Sequence, residues 1–284
     1  MKIQSNRTMQ LLINLLFAGS LSAATVDGIK LHSSVSGKGS QAVILVHGWT
    51  CDGTTWKSQI PALSDNYRVI TLDLPGHGQS GSPRDGKLSM DLFARAVEAV
   101  RRDAKTNRVV LVGHSMGTPV ILQYARLYPQ HAVAMVFVDG PVTMPRSASG
   151  RSFSTEQFSG PNGLKARETM IRSMFSLATT PEIQKHILSM MLGAPAETAV
   201  GAMQAMLDPA IWKEEVFTQP VLGLYADKSK LVNDQYYITS REYMKTHFPK
   251  MDYEEIPGTG HFLMLEKPEE FNRLLLTFLA KLKY

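Results

Sequence analysis

The sequence predicts an α/β chain in which a mostly parallel central sheet is flanked by helices and interrupted by one inserted helical cap. Three observations lead there. Short apolar runs rich in β-branched residues alternate with longer amphipathic stretches. The alternation lapses from about Pro141 to Phe217, where the chain turns helical and methionine-rich, and it resumes from there to the C-terminus.

The predicted strands are Val43 to Val46, Val69 to Leu72, Val109 to Val112, Val133 to Val138, Val221 to Tyr225 and Asp252 to Ile256. The first four are continuously apolar, the pattern of strands covered on both faces. Between them, Asp91 to Lys105 places Leu92, Ala96, Ala99 and Val100 on one helical face, and Phe271 to Leu282 does the same with Leu274, Leu275, Phe278 and Leu279. Pro268, Glu269 and Glu270 suit the first turn of that last helix, the proline through its fixed φ and the acids through the helix dipole. The chain thus divides into a core of residues 25–140 and 218–284 and a cap of residues 141–217. The cap carries Met144, Met170, Met174, Met190, Met191, Met203 and Met206. Thioethers fill irregular gaps, so helix packing is the first reading of these side chains and a substrate-facing wall the second. Ser147 to Gly163, rich in serine and glycine, is expected to be a loop leading into the cap.

The first 24 residues read as an export signal. Lys2 and Arg7 precede an apolar run from Leu11 to Phe17, which fades into small residues ending at Ala23 and Ala24. The run falls short of the roughly 20 apolar residues a membrane span needs, so no stable span is expected after processing. Cleavage after Ala24 satisfies the small-x-small rule, and the mature protein is expected in the periplasm or outside the cell. Cys51 is the only cysteine, so no disulfide forms within the chain and the core alone must hold the fold. Cys51 itself is read as a small buried side chain.

Composition excludes several functions. The formal charge of +5 falls to +3 once Lys2 and Arg7 are removed, and the basic residues are scattered, so no nucleic-acid partner is expected. Arg101 and Arg102, the one adjacent pair of arginines, read as a solvated helix face. The histidines lack H-E-x-x-H spacing and one cysteine cannot build a cysteine-rich centre, so no metal is expected. The dinucleotide pattern G-x-G-x-x-G is absent around the one conspicuous Gly-rich turn, so no nicotinamide cofactor is expected either.

That turn is Gly113-His114-Ser115-Met116-Gly117, which directly follows an apolar strand and precedes the helical stretch Thr118 to Tyr128. In this context G-x-S-x-G is a nucleophile elbow: a sharp turn lifts the serine Oγ above the strand end, and the glycines let neighbouring backbone approach. A serine hydroxyl is a poor nucleophile at neutral pH and needs a base, itself oriented by a carboxylate. Of eight histidines, His261 fits best, on the Gly-rich loop Gly258-Thr259-Gly260-His261-Phe262, downstream of the serine and just before a helix. His47 and His77 sit in their own Gly-rich loops, where hydrogen-bonding roles are expected. His114 adjoins the serine but points away from its Oγ. Two aspartates close apolar strands, Asp139 and Asp227, and either could reach His261 from its strand end.

With these segments the chain resembles the α/β-hydrolase superfamily, in particular its small cap-bearing carboxylesterases, over essentially all residues after the signal. The resemblance implies an oxyanion hole built from the backbone N–H groups of Trp49, in His47-Gly48-Trp49, and Met116. It also covers Asp73-Leu74-Pro75-Gly76-His77-Gly78-Gln79-Ser80, the loop after the next strand. Through the family's commoner chain order it favours Asp227 as the acid, with Asp139 as the alternative. Thr118 departs from the family, where another glycine often follows the elbow, and is expected to tighten the helix start. The implied reaction is hydrolysis of a small-molecule carboxylic ester or lactone, with an apolar portion, through an acyl-enzyme on Ser115. The same residues serve carbon–carbon bond hydrolysis, acyl transfer and cofactor-free perhydrolysis. A ligand-binding protein that keeps the fold without turnover is a reading of a different class.

Overall fold

A computed structural model of the chain describes residues 24–144, 154–226, 234–282 and 284, with 234–239 as backbone only. The predicted export signal therefore lies, but for Ala24, outside the described residues, as do Asp227 and residues 147–153 of the loop expected before the cap. Among the described residues no helix is long and apolar enough to cross a membrane.

A small hairpin opens the described chain, with β1 (Thr25–Val26) and β2 (Ile29–Lys30) joined across Asp27 and Gly28. Both turn residues have positive φ, 49° and 77°, as a two-residue Asp-Gly hairpin turn requires. The seven-stranded sheet follows, with β3 (Ser33–Ser36), β4 (Ala42–Val46), β5 (Arg68–Leu72), β6 (Val109–His114), β7 (Ala132–Val138), β8 (Val221–Ala226) and β9 (Met251–Ile256). Its order is β3-β5-β4-β6-β7-β8-β9, and every pairing is parallel except β3 against β5. The runs read as strands covered on both faces behave so: β4 and β6 are buried along their whole length, and β5 and β7 at all but one residue each. The edges differ. β3, Ser-Ser-Val-Ser, is largely exposed and carries no apolar signature, which is why sequence patterning passes over it.

Helices α1 (Gln59–Ser64), α2 (Met90–Asp103) and α3 (Gly117–Leu127) cover the first half of the sheet. Ser89 caps α2 by accepting the Leu92 N–H at 3.1 Å, and Asp91 in the first turn and Arg101 and Arg102 in the last complement the helix dipole. The two arginines part company there. Arg102 is exposed as expected, but Arg101 is buried and pairs through two nitrogens with both oxygens of Glu98, each at 2.7 Å, while the Tyr124 hydroxyl donates to Glu98 at 2.9 Å. An arginine buried between α2 and α3 needs this carboxylate, and the i,i+3 spacing supplies it. Burial alone would push the Glu98 carboxyl up; the hydrogen bonds from Arg101 and Tyr124 outweigh it and hold its pKa below the ordinary value.

Between β7 and β8 stand α4 (Gly163–Ser173), α5 (Pro181–Gly193) and α6 (Ala196–Leu207). Met174, Met191 and Met203 are buried in this layer, the packing role expected for them, whereas Met144 is exposed. Arg167 of α4, buried without an acidic partner among the described residues, donates to Ala194 O at 2.7 Å. Ala194 is the C-cap of α5, so the negative end of that helix dipole offsets the charge. The chain closes with α7 (Asp234–His247), α8 (Leu263–Glu266) and α9 (Pro268–Lys281), the last burying Phe271, Leu275, Phe278 and Leu279.

Parallel strands deliver their following loops to one edge of the sheet. The loops after β4, β5, β6, β7 and β9 therefore meet at the carboxyl edge, from which the cap also springs.

Candidate active site

The turn after β6 shows why its residue types are required. Ser115 has φ of 53°, left-handed, and its N–H and C=O are fixed by Val138 O and the Thr118 N–H, both at 2.9 Å. Neither flanking glycine has room for a side chain: a Cβ on Gly113 would lie 2.4 Å from Gly117 O, and one on Gly117 would lie 2.4 Å from Val46 O. The strand, the turn and the neighbouring strand approach too closely for anything but hydrogen. Thr118 does tighten the helix start, because its hydroxyl donates to Gly113 O at 2.9 Å and so closes the elbow across its base.

Backbone strain gathers here. Among the described residues five non-glycines have positive φ, and three of them, Thr50, Ser115 and Asp139, lie on the loops that follow β4, β6 and β7. Asp139, at φ 43°, turns the chain out of β7 and aims its carboxylate along the edge. Its Oδ1 accepts the Ala226 N–H at 3.1 Å, and its Oδ2 lies 2.6 Å from His261 Nδ1, with both side chains about 95% buried. A carboxylate can only accept, so His261 Nδ1 carries the proton and Nε2 presents its lone pair.

The structure thus brings Asp139, the alternative acid of the sequence reading, to His261, while Asp227, the favoured one, lies outside the described residues. Nδ1 has one hydrogen to give, and Asp139 takes it. Asp139 lies on β7, next to β6 in the sheet, so its strand end adjoins the elbow, whereas β8 is one strand further away. Chain order ranked the two aspartates without access to this adjacency.

His114, the residue before Ser115, touches His261 directly. The His114 ring packs on the His261 ring with centroids 4.7 Å apart, and its Nε2–H donates to His261 O at 2.8 Å. Ser115 Oγ makes no hydrogen bond among the described residues. Such bonds are often loose before substrate arrives and tighten as the reacting complex forms.

The loop after β4 lies directly against the serine, since a Cβ on Gly48 would stand 2.9 Å from Ser115 Cβ. The Trp49 and Met116 N–H groups, the expected oxyanion donors, have no acceptor among the described residues. Trp49 turns its indole to the cap, donating from Nε1 to Ala199 O at 2.8 Å and resting on Phe158 with ring centroids 5.0 Å apart. Cys51, just beyond, is buried, and burial pushes its thiol up to about 12, far from a reactive thiolate.

His47 and His77 are posts for these loops, as expected. His47 donates from Nδ1 to Gly48 O at 2.8 Å and accepts the Leu74 N–H on Nε2 at 2.9 Å, so it holds the first two loops together as a neutral ring. His77 donates to Pro75 O at 3.1 Å. Burial lowers the pKa of His47, brings His77 down to about 3 and holds His114 well below its ordinary value. The folded values lie below the unfolded value near 6.5, so stability is complete above that pH and declines as the pH falls from there towards about 3. The expected loss is about 1.4 kcal/mol per pH unit for each such histidine while its unfolded form alone binds the proton. Urea midpoints at pH 7.5 and 5.5 check this, and His77→Gln should reduce the difference.

Among the described residues no three His, Cys, Asp or Glu side chains gather as a metal site would need. Sequence reasoning missed Glu266, whose carboxylate accepts the Gly260 N–H beside His261. An acid five residues after the histidine and two before Pro268 reads as ordinary helix-start chemistry, so the sequence held no usable signal for it.

Comparison with known proteins bears on this arrangement. A family model described as alpha/beta hydrolase fold matches residues 41–268. Among solved structures, an esterase from Thermogutta terrifontis superposes with a TM-score of 0.77 at 26% identity, covering 91% of this chain and 96% of its own. A 2-hydroxy-6-oxononadienedioate/2-hydroxy-6-oxononatrienedioate hydrolase from Burkholderia vietnamiensis is 24% identical over 268 residues, 89% of this chain and 92% of that one. The dihydrolipoyllysine-residue acetyltransferase component of the acetoin cleaving system of Cupriavidus necator is 36% identical over 115 residues, 40% of this chain. That match spans 30% of the acetyltransferase, and the match to its Pseudomonas putida counterpart spans 65%, so these relatives extend well beyond the region shared with this chain.

Proposed function

The chain belongs to the α/β-hydrolase-fold family, and on that premise we propose that it is a serine hydrolase of small carboxylic esters or lactones, acting through an acyl-enzyme on Ser115. The observation that carries this reading is the 2.6 Å contact between His261 Nδ1 and Asp139 Oδ2 at the strand end beside the Ser115 elbow. That contact fixes the tautomer in which Nε2 is free to take a proton.

In the proposed reaction Ser115 Oγ attacks the substrate carbonyl carbon and its proton passes to His261 Nε2. The carbonyl oxygen, now negative, moves towards the Trp49 and Met116 N–H groups, which have no other acceptor among the described residues. Asp139 stabilises the imidazolium. Collapse of the tetrahedral intermediate expels the alkoxide, which takes the proton from Nε2. Water then attacks the acyl group by the same route and frees Ser115. An ester or lactone with an apolar portion suits the apolar cap side chains near the catalytic loops, among them Phe158 and Met174.

Product analysis with a short aryl ester, a γ-lactone and a vinylogous diketone tests the reading. Turnover of the ester or lactone to a hydroxyl compound and a carboxylic acid is expected. Cleavage of the diketone with neither of the others turned over would replace it with carbon–carbon bond hydrolysis, the activity named for the Burkholderia vietnamiensis relative.

A further inference from the structure

The cap meets the loop of the general base at one carboxylate and at one backbone carbonyl. Between α4 and α5 the backbone turns at residues 176–179, where the Ser176 N–H donates to Thr179 Oγ1 at 2.8 Å and the Ala178 N–H to Ser176 Oγ at 3.0 Å. Each hydroxyl accepts from the backbone and then gives its own hydrogen to the same acceptor: Ser176 to Glu266 Oε2 at 3.1 Å, and Thr179 to Glu266 Oε1. Glu266 Oε2 takes a third hydrogen from the Gly260 N–H. The next amide along, His261 N–H, donates to Met174 O at 3.1 Å.

Two successive amides of the histidine loop are thus committed, one to Glu266 and one to the cap itself. Gly260 leaves no slack between them, because a Cβ there would lie 2.8 Å from Met174 O and 3.0 Å from Ser176 Cβ. Glu266 is half-buried, and no lysine, arginine or histidine pairs with it among the described residues. Its charge is met by three hydrogen bonds, which are stronger for being made to an anion.

We propose that Glu266 is a positioning residue: its carboxylate binds the cap turn 176–179 and the Gly260 amide into one unit that sets the His261 ring against Asp139 and Ser115. The inference rests on reading Ser115 and His261 as nucleophile and base. It follows that the cap turn and the base move together, and that a disturbance of the turn reaches the chemical step. Proton transfer depends on sub-ångström placement, and a misplacement of about 1 Å costs about 10²-fold in rate.

The test measures hydrolysis of a short aryl ester per serine titrated with a fluorophosphonate, in wild type, Glu266→Ala, Glu266→Gln and the double variant Ser176→Ala with Thr179→Ala. Glu266→Ala should lower kcat by about 10- to 100-fold with KM changed less than twofold. Glu266→Gln, which keeps one accepting oxygen, should recover part of the loss, and the double variant, which keeps the Gly260 bond, should lose less than Glu266→Ala. The low-field proton resonance of the His261–Asp139 bond should move or broaden in Glu266→Ala. Should that variant fail to fold, Glu266→Gln and the double variant carry the same comparison. Wild-type rates per titrated serine and an unmoved resonance, in a variant that has only lost thermal stability, would overturn the inference for Glu266 alone. A wild-type chain that is never labelled on Ser115 would overturn the hydrolase reading and this inference with it.

Discussion

Ser115→Ala is expected to lower kcat for an aryl ester by about 10⁶-fold, the scale of loss when the nucleophile of a serine triad is removed. Stability should scarcely change. Ser115 Oγ makes no hydrogen bond among the described residues, so its removal leaves no buried partner unpaired. Alanine tolerates the left-handed φ of 53° no worse than serine does. Equal urea midpoints with activity lost would separate the chemistry of the hydroxyl from its place in the fold.

Asp139→Asn should cost about 10⁴-fold in kcat, whereas Asp227→Asn should stay within a few-fold of wild type. The argument is one of donors and acceptors. The Asp139 carboxylate accepts twice, from Ala226 N and from His261 Nδ1. An asparagine has one accepting oxygen, and if Ala226 keeps it, the amide NH₂ faces Nδ1. The imidazole then protonates on Nε2, the nitrogen that has to receive the serine's proton, and the carboxylate that would stabilise the imidazolium is gone. Kinetics of the two variants, measured beside their thermal stabilities, check the assignment; the reverse order of losses would return the role to Asp227.

The sheet was legible because burial on both faces writes itself as continuous β-branched runs: Ala42–Val46 and Val109–His114 stand out in any reading of the chain. Ser33–Ser36, exposed at the edge, does not, since nothing about an exposed strand requires apolar residues. The Ser115 turn was legible for a related reason. Gly113 and Gly117 face backbone at 2.4 Å, and so tight a contact excludes every other residue type. His261 could be found because it follows the serine on a Gly-rich loop, where Gly258 has positive φ and Gly260 no room for a Cβ. For the acid the sequence offered both Asp139 and Asp227 and favoured Asp227 by chain order; that Asp139 meets His261 follows from β7 lying beside β6, a fact of topology that no local pattern carries. Arg101 taught the same lesson on a helix: its neighbour Arg102 is solvated, and only the packing of α2 on α3 decides which of the two turns inward to Glu98. Glu266 lay deeper still, since its partners come from the cap and from the histidine loop, and its own residue type at a helix start is ordinary.

The most direct measurement is to treat the folded protein with a fluorophosphonate and map the modified peptide by mass spectrometry while following ester hydrolysis. A single adduct on Ser115, with hydrolysis falling in proportion to the labelled fraction and no labelling in His261→Ala on the same timescale, is the predicted result. Hydrolysis that persists in fully labelled protein, or an adduct on any other residue accompanying its loss, would contradict the account.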